Sequence, residues 1–171
     1  MEVEIMNFTV IQPNPPSPLT IFDRLPSAIH IAVLFAFSAP IPANPTLIKS
    51  LLETLPHFPT LTTQIIQDPN RRPHFIPSGG ALVVEAKSSS SLPYDLLRDP
   101  SPQLLKLHPT VDRPSHVFQV QLTRFGCGGL VVGATADHRI ADGQSMSTFF
   151  TAWASCVRGF GVSPLPVFDR A

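Results

Sequence analysis

The sequence predicts an α/β domain, and three observations carry that prediction. Two stretches, one from Asn44 and one from about Gly143 to Arg158, repeat apolar residues at the helical period. Several shorter stretches are β-branched, aromatic or alternating, as strands are. Strands and helices interleave along 171 residues, a length that suits one domain with its own core.

Val3 to Ile11 alternates loosely and reads as a strand, followed by the stiff loop "QPNPPSP" and an irregular "LTIFDRLPSA". Ile29 to Phe37 is apolar enough for a strand buried on both faces. "NPTLIKSLLETLPHFPTL" is a helix with Asn44 as its N-cap and Pro45 in first position, where a missing N–H does no harm. Its apolar face is Ile48, Leu51, Leu52 and Leu55, and Pro56 and Pro59 end it. "PHFIP" and "ALVVEA" are strands on either side of Ser78-Gly79-Gly80. "KSSSS" is a polar loop and "YDLLRD" a single helical turn. "SHVFQVQLTRF" puts Phe118, Val120 and Leu122 on one face and Gln119, Gln121 and Thr123 on the other. The turn "GCGG" joins it to "LVVGATADH" as a hairpin. The last helix carries Met146, Phe149, Phe150, Trp153 and Val157 as its stripe, with Arg158 and Gly159 at its end. "VSPLPVFDRA" is an extended tail, and no segment repeats another.

Composition narrows the function. Hydrophobic residues make up 43% and charged residues 14%, against the roughly one quarter usual in soluble domains. Such a surface implies an apolar face made to be covered. Twelve basic residues balance twelve acidic ones, without a basic run, which argues against nucleic acid or an anionic membrane as partner. The longest apolar run, Ile29 to Pro42, is too short to span a bilayer. Two cysteines, Cys127 and Cys156, make no disulfide framework, and "MEVEIMNFTV" lacks a basic n-region, so the cytoplasm is expected.

The chemistry gathers in "ATADHRIADGQSMS", Ala134 to Ser147. His138 sits at the end of a strand, four residues before Asp142, with Gly143 next. An H-x-x-x-D spacing alone is weak, and a lone strand-end histidine is more often structural. Without a bulge His138 shares parity with Leu130, Val132, Ala134 and Ala136, where desolvation favours the neutral imidazole that a general base needs. Asp142 precedes the helix and reads as its N-cap, or as an anchor paired with an arginine. Gly143 admits a close ligand or a positive φ. A metal site would need a third ligand: His108 and His116 lie in no ligand spacing. No nucleophile elbow, P-loop or dinucleotide fingerprint occurs.

"HRIADG" resembles the HxxxDG motif of the plant BAHD acyltransferases. "PLTIFD", "LIKSLLETLPHFPTL" and "PLPVFDR" resemble, in order, that family's N-terminal segment, first helix and post-motif segment. "LLKLHP" and "QLTRFGCGGLVVG" are most similar to members that make hydroxycinnamic amides of agmatine or putrescine. Thr62-Thr63-Gln64 departs from the A-G-R that often follows the family's first helix. The resemblance implies a chloramphenicol acetyltransferase-like mixed β-sheet flanked by helices. Residues 1–171 would be the N-terminal domain of a two-domain fold, without the C-terminal domain and its D-F-G-W-G motif.

The resemblance further implies that His138 is the general base and that Asp142 and Gly143 support the site structurally. Acyl-CoA would be a co-substrate, with no bound cofactor and no metal, and the acceptor a small amine or alcohol. The expected function is transfer of an acyl group, in particular hydroxycinnamoyl, to an amine such as agmatine or putrescine. The alternative is a truncated, non-catalytic remnant that acts by binding or interaction.

Overall fold

In the computed structural model, residues 1–12, 29–70, 73–91, 101–110 and 116–167 are described. The centre of the fold is a hairpin of two eight-residue strands, β6 (Phe118–Phe125) and β7 (Leu130–Asp137). The "GCGG" turn closes it: Gly128 takes φ 82° and donates to the Phe125 carbonyl at 2.9 Å. Around it lie β1 (Glu4–Ile11), β2 (His30–Phe37) and β5 (Ala81–Ser88). The five strands run in the order β1-β5-β6-β7-β2. β5 and β6 are parallel and the other pairs antiparallel, so the sheet is mixed.

Helices α1 (Asn44–Thr54) and α2 (Gly143–Val157) pack on one face of this sheet. The core between them holds Leu51, Leu55, Val120, Leu122 and Phe149, all at most 1% exposed. Phe149 sets its ring edge-on to Phe58 and Phe118, at centroid distances of 5.3 and 5.1 Å. Trp153 of α2 donates its indole N–H to Leu47 O at 3.2 Å and Ser50 Oγ at 3.0 Å, joining the two helices.

The opposite sheet face is covered in part by the 3-10 turns of Pro102–Leu107. Gly133 makes this possible: a Cβ there would stand 2.0 Å from the carbonyl oxygen of Leu107. Gln119, Gln121, Thr123 and Thr135 lie on this face and are buried.

Two expectations need correction. The strand Ile29 to Phe37 is not buried on both faces. β2 bonds only to β7, at the end of the sheet, and leaves Ile31, Phe35 and Phe37 42%, 39% and 46% exposed. Its apolar run reflects the open cleft that Ile31, Val33, Phe35 and Phe37 line on the helix side. Asn44 is not the N-cap of α1: Ala43 holds that position and no side chain caps the helix. Asn44 instead donates to Glu85 Oε2 and accepts from Arg124 Nε, each at 2.8 Å, tying the helix to the sheet. The two strands expected around Ser78-Gly79-Gly80 are present as β4 (Pro73–Ile76) and β5; β4 pairs with β3 (Gln64–Gln67), which the sequence pattern does not announce. Pro56 does end α1, which runs into 3-10 turns at Leu55–His57 and Pro59–Thr62. "LTIFDRLPSA", "YDLLRD" and the last four residues lie outside the described residues.

Candidate active site

β7 ends at Asp137, α2 begins at Gly143, and the candidate motif is the corner between them. Backbone bonds hold the corner on both sides. The Asp137 N–H donates to Val117 O at 2.9 Å, and the His138 N–H donates to Ile29 O at 2.8 Å. His138 is therefore tied to the residue that precedes β2. Its ring is half-buried, and its Nδ1 is buried with no hydrogen-bond partner among the described residues.

Asp142 has extended backbone angles and accepts the Ser145 N–H on Oδ1 at 2.7 Å, the geometry of a helix N-cap. That bond, more than any other influence, holds its carboxyl below the ordinary range. Gly143 is the first residue of α2. It is not among the glycines with positive φ, and a Cβ on it would meet open space.

The arginine pair at this corner belongs to a different acid. Asp137 receives two bonds from the Arg139 guanidinium, at 2.9 and 2.6 Å, and one from the Arg139 N–H at 2.9 Å. Burial alone would raise the Asp137 carboxyl, but these bonds outweigh it and hold the pKa below its usual value. His30 stands directly opposite Asp137 in the β2–β7 register and adds a smaller pull in the same direction.

Two clefts adjoin the sheet. One, of about 830 Å³, opens between α2 and the β2–β7 edge; Val33, Phe35, Val132 and Phe150 line it, with Asp142 and Gly143 at one end. It is apolar, and His138 is not among its lining residues. The other, of about 410 Å³, lies on the opposite face, over Gln119 and Gln121 and beneath Lys106, His108 and Thr110. The motif's spacing does not single out Asp137, Arg139, His30 or Thr135, and it gives Gln119 only a place on a polar strand face. The available signal was a polar face at period two in β6 facing another polar position in β7.

Cys127 is exposed and Cys156 buried, and neither is in a disulfide. Among the described residues no three His, Cys, Asp or Glu side chains are grouped to hold a metal ion, and no helix is long and apolar enough to cross a membrane.

Comparison with known proteins places these features. The chain is 36% identical over 158 residues to agmatine hydroxycinnamoyltransferase 1 of Oryza sativa subsp. japonica, covering 90% of this chain and 35% of the relative. It is 36% identical over 156 residues to agmatine coumaroyltransferase-1 of Hordeum vulgare, covering 90% and 36%. The chain thus spans about a third of the length of these relatives. The crystal structure of vinorine synthase superposes with a TM-score of 0.78 at 24% identity, covering 99% of this chain and 46% of that one. The structure of F. sporotrichioides TRI101 complexed with coenzyme A and T-2 superposes with a TM-score of 0.60 at 20% identity, covering 83% and 41%. These likenesses establish the mixed, helix-flanked sheet of the chloramphenicol acetyltransferase-like fold. A family model described as the Transferase family matches residues 1–171. With the hydroxycinnamoyltransferase relatives, that match makes the chain a member of the Transferase family of BAHD acyltransferases.

Proposed function

We propose that this chain carries the general base of an acyltransferase that moves a hydroxycinnamoyl group from a CoA thioester to an amine such as agmatine or putrescine. The observation that carries the proposal is His138. It lies in an H-x-x-x-D-G motif at a strand-to-helix corner, held by its own backbone bond and with a buried ring nitrogen that has no partner among the described residues. The names of the relatives supply the substrate class.

The imidazole accepts a proton from the acceptor amine as its nitrogen attacks the thioester carbonyl. The tetrahedral intermediate collapses with cleavage of the C–S bond, and the imidazolium returns the proton to the leaving thiolate. The products are an amide and CoA, so acyl-CoA is consumed as a co-substrate, and no step calls on a metal or a bound cofactor. Asp142, by capping α2, fixes the start of the helix behind His138. Gly143 keeps that start free of a side chain.

Residues 1–171 act in this proposal as the N-terminal half of a two-domain site. The exposed apolar residues of β1 and β2, and the partial coverage of the relatives, support that arrangement. The proposed setting is the cytoplasm. The same open apolar surface also favours a second reading, a non-catalytic domain that acts by interaction.

Amide formation from a hydroxycinnamoyl-CoA and agmatine separates the readings. The chain is assayed alone and with the C-terminal domain of a relative. Turnover in either setting that falls about 10²–10⁴-fold in His138→Ala, the worth of one positioned base, supports acyl transfer. No turnover in both settings supports the interaction reading.

A further inference from the structure

The sheet face away from the helices holds the cleft of about 410 Å³, which the acyl-transfer reading does not use. Three strands in register build its floor. Phe8 of β1 stands opposite Val84 of β5, and Leu82 and Val84 stand beside Gln119 and Gln121 of β6. The floor changes character across the sheet. On β1, Ile5 and Phe8 are 44% and 49% exposed, and Leu105 of the same cleft is 62% exposed, so the mouth is an open apolar surface. On β6, Gln119 and Gln121 are buried, so the inner end is polar and closed.

Gln119 Oε1 is buried and has no hydrogen-bond partner among the described residues. Buried polar groups are normally paired, so an orphan on a residue that lines a cleft is informative. The Gln119 Nε2 donates to the His116 carbonyl at 3.3 Å. A carbonyl only accepts, so the amide orientation is fixed and the oxygen is the free end.

The other polar groups of the cleft select the same kind of ligand. Gln121 uses both amide hydrogens, on Lys106 O at 2.8 Å and Thr123 Oγ1 at 2.9 Å, so it too has only an oxygen to offer. His108 places Nδ1 3.0 Å from the Pro109 carbonyl, which puts the ring proton there and leaves Nε2 as an acceptor. Lys106 and Glu2, of opposite charge, also line the cleft. A lining balanced in charge and rich in acceptors suits a neutral donor. An ammonium would be desolvated beside Lys106, and a carboxylate would meet oxygens that cannot donate to it.

We propose that this cleft binds a phenol, with the hydroxyl donating to Gln119 Oε1 and the ring lying on Leu82, Val84 and Phe8. A phenolic O–H is a neutral donor at neutral pH, its pKa being about 10. Its ring is the flat apolar body that the β1–β5 floor accommodates. The site goes beyond the acyl-transfer reading and does not rest on it. Ala134 and Ala136, which share the parity of His138, line the cleft of about 830 Å³ on the helix side. Gln119 stands opposite Thr135, of the other parity, so the phenol site and the candidate base lie on opposite faces of the sheet.

Nuclear magnetic resonance titration of the intact chain with para-cresol and with para-methylanisole, the same ring with its donor methylated, tests the site. Para-cresol is expected to bind about fivefold more tightly, the effect of one neutral hydrogen bond, and to shift the Gln119 side-chain amide signals. Gln119→Met keeps the length and removes the acceptor. It should abolish the preference and leave para-methylanisole bound as before. Leu105→Ser, at the exposed mouth, should weaken both compounds alike, by about threefold, through lost apolar contact. If Gln119→Met does not fold, the wild-type preference and the Gln119 amide shift decide. Equal affinity for the two compounds, no binding of either, unmoved Gln119 signals, a preference that survives Gln119→Met, or a Leu105→Ser chain that binds like the wild type would overturn the proposal. His138→Ala should leave both affinities unchanged whatever becomes of turnover, so the site and the acyl-transfer reading fail separately.

Discussion

Asp137 and Arg139 stand two residues apart at the end of β7 and close a ring of three hydrogen bonds on either side of His138. The carboxylate is 3% exposed and the guanidinium 20%, so the pair is screened little by water. His138 cannot swing away without opening that ring, since its own backbone lies inside it.

Removing the guanidinium should therefore be costly. Arg139→Met keeps the apolar stem but leaves a buried carboxylate without its partner, a loss on the order of 3 kcal/mol. The pH dependence follows from the sign of the shift. Folding lowers the Asp137 pKa. The pair's contribution is thus complete above the ordinary carboxylate value of about 3.9 and is lost as pH falls through the lower folded value. Urea midpoints measured from pH 7 to pH 3 should fall steeply below about pH 4 in the wild type. The double variant Asp137→Asn/Arg139→Met should start lower and fall less. A parallel descent of the two curves would rule the pair out as the source.

Asp142 makes a separable contribution. Its bond to the Ser145 N–H satisfies one of the free donors at the start of α2. Asp142→Ala should cost about 1 kcal/mol of stability, and Asp142→Asn, which keeps the capping oxygen, only a few tenths. Chemical denaturation of the two variants checks the order. Equal losses would mean that the charge, rather than the cap, is what matters there.

The parts of the fold legible in the sequence are those where local pattern and tertiary role agree. α2 shows its stripe, its capping Asp142 and its terminal Gly159, and each reports on the same helix. The β6–β7 hairpin announces itself through alternation and "GCGG" for the same reason. β2 misleads because its apolar run records what it could bury, while its place at the sheet's end depends on a crossover that no local pattern encodes. Asn44 misleads because its side chain serves Glu85 and Arg124, 41 and 80 residues away, rather than its own helix. At the candidate site, the motif is visible as spacing. The orphaned oxygens of Gln119 and Thr135 become visible only once the register sets them opposite each other.

Gly133 is a position where a very small change should do great harm. Its absent Cβ is the space through which the Leu107–His108 backbone crosses β7, with Leu107 O at 2.0 Å and the His108 Cα at 2.9 Å. A methyl group there meets main chain rather than a flexible side-chain tip. Gly133→Ala should either displace the Pro102–Leu107 turns or cost several kcal/mol, more than most single substitutions. Hydrogen exchange would show the displacement as lost protection at Leu104, whose N–H donates to Ser101 O at 3.0 Å. Wild-type protection and wild-type stability together would mean that the crossing can yield.

The open edge of the sheet predicts how the isolated chain behaves in solution. β2 presents Ile31, Phe35 and Phe37 beside an unpaired strand edge, which is a template for another strand and an apolar surface at once. The described part of the chain covers neither. Phe35 is partly committed, since its ring packs against Phe150 at 4.8 Å, whereas Phe37 has no aromatic partner among the described residues. Ile31→Lys/Phe37→Lys should therefore suppress self-association with little loss of the Phe149-centred core. Sedimentation velocity across a concentration series should show the wild type shifting to larger species and the double variant remaining a monomer. Concentration-independent sedimentation of both would mean that the edge is already protected. If both associate alike, the contact lies elsewhere on the surface, and the exposed residues of β1, Ile5, Phe8 and Val10, become the next to charge.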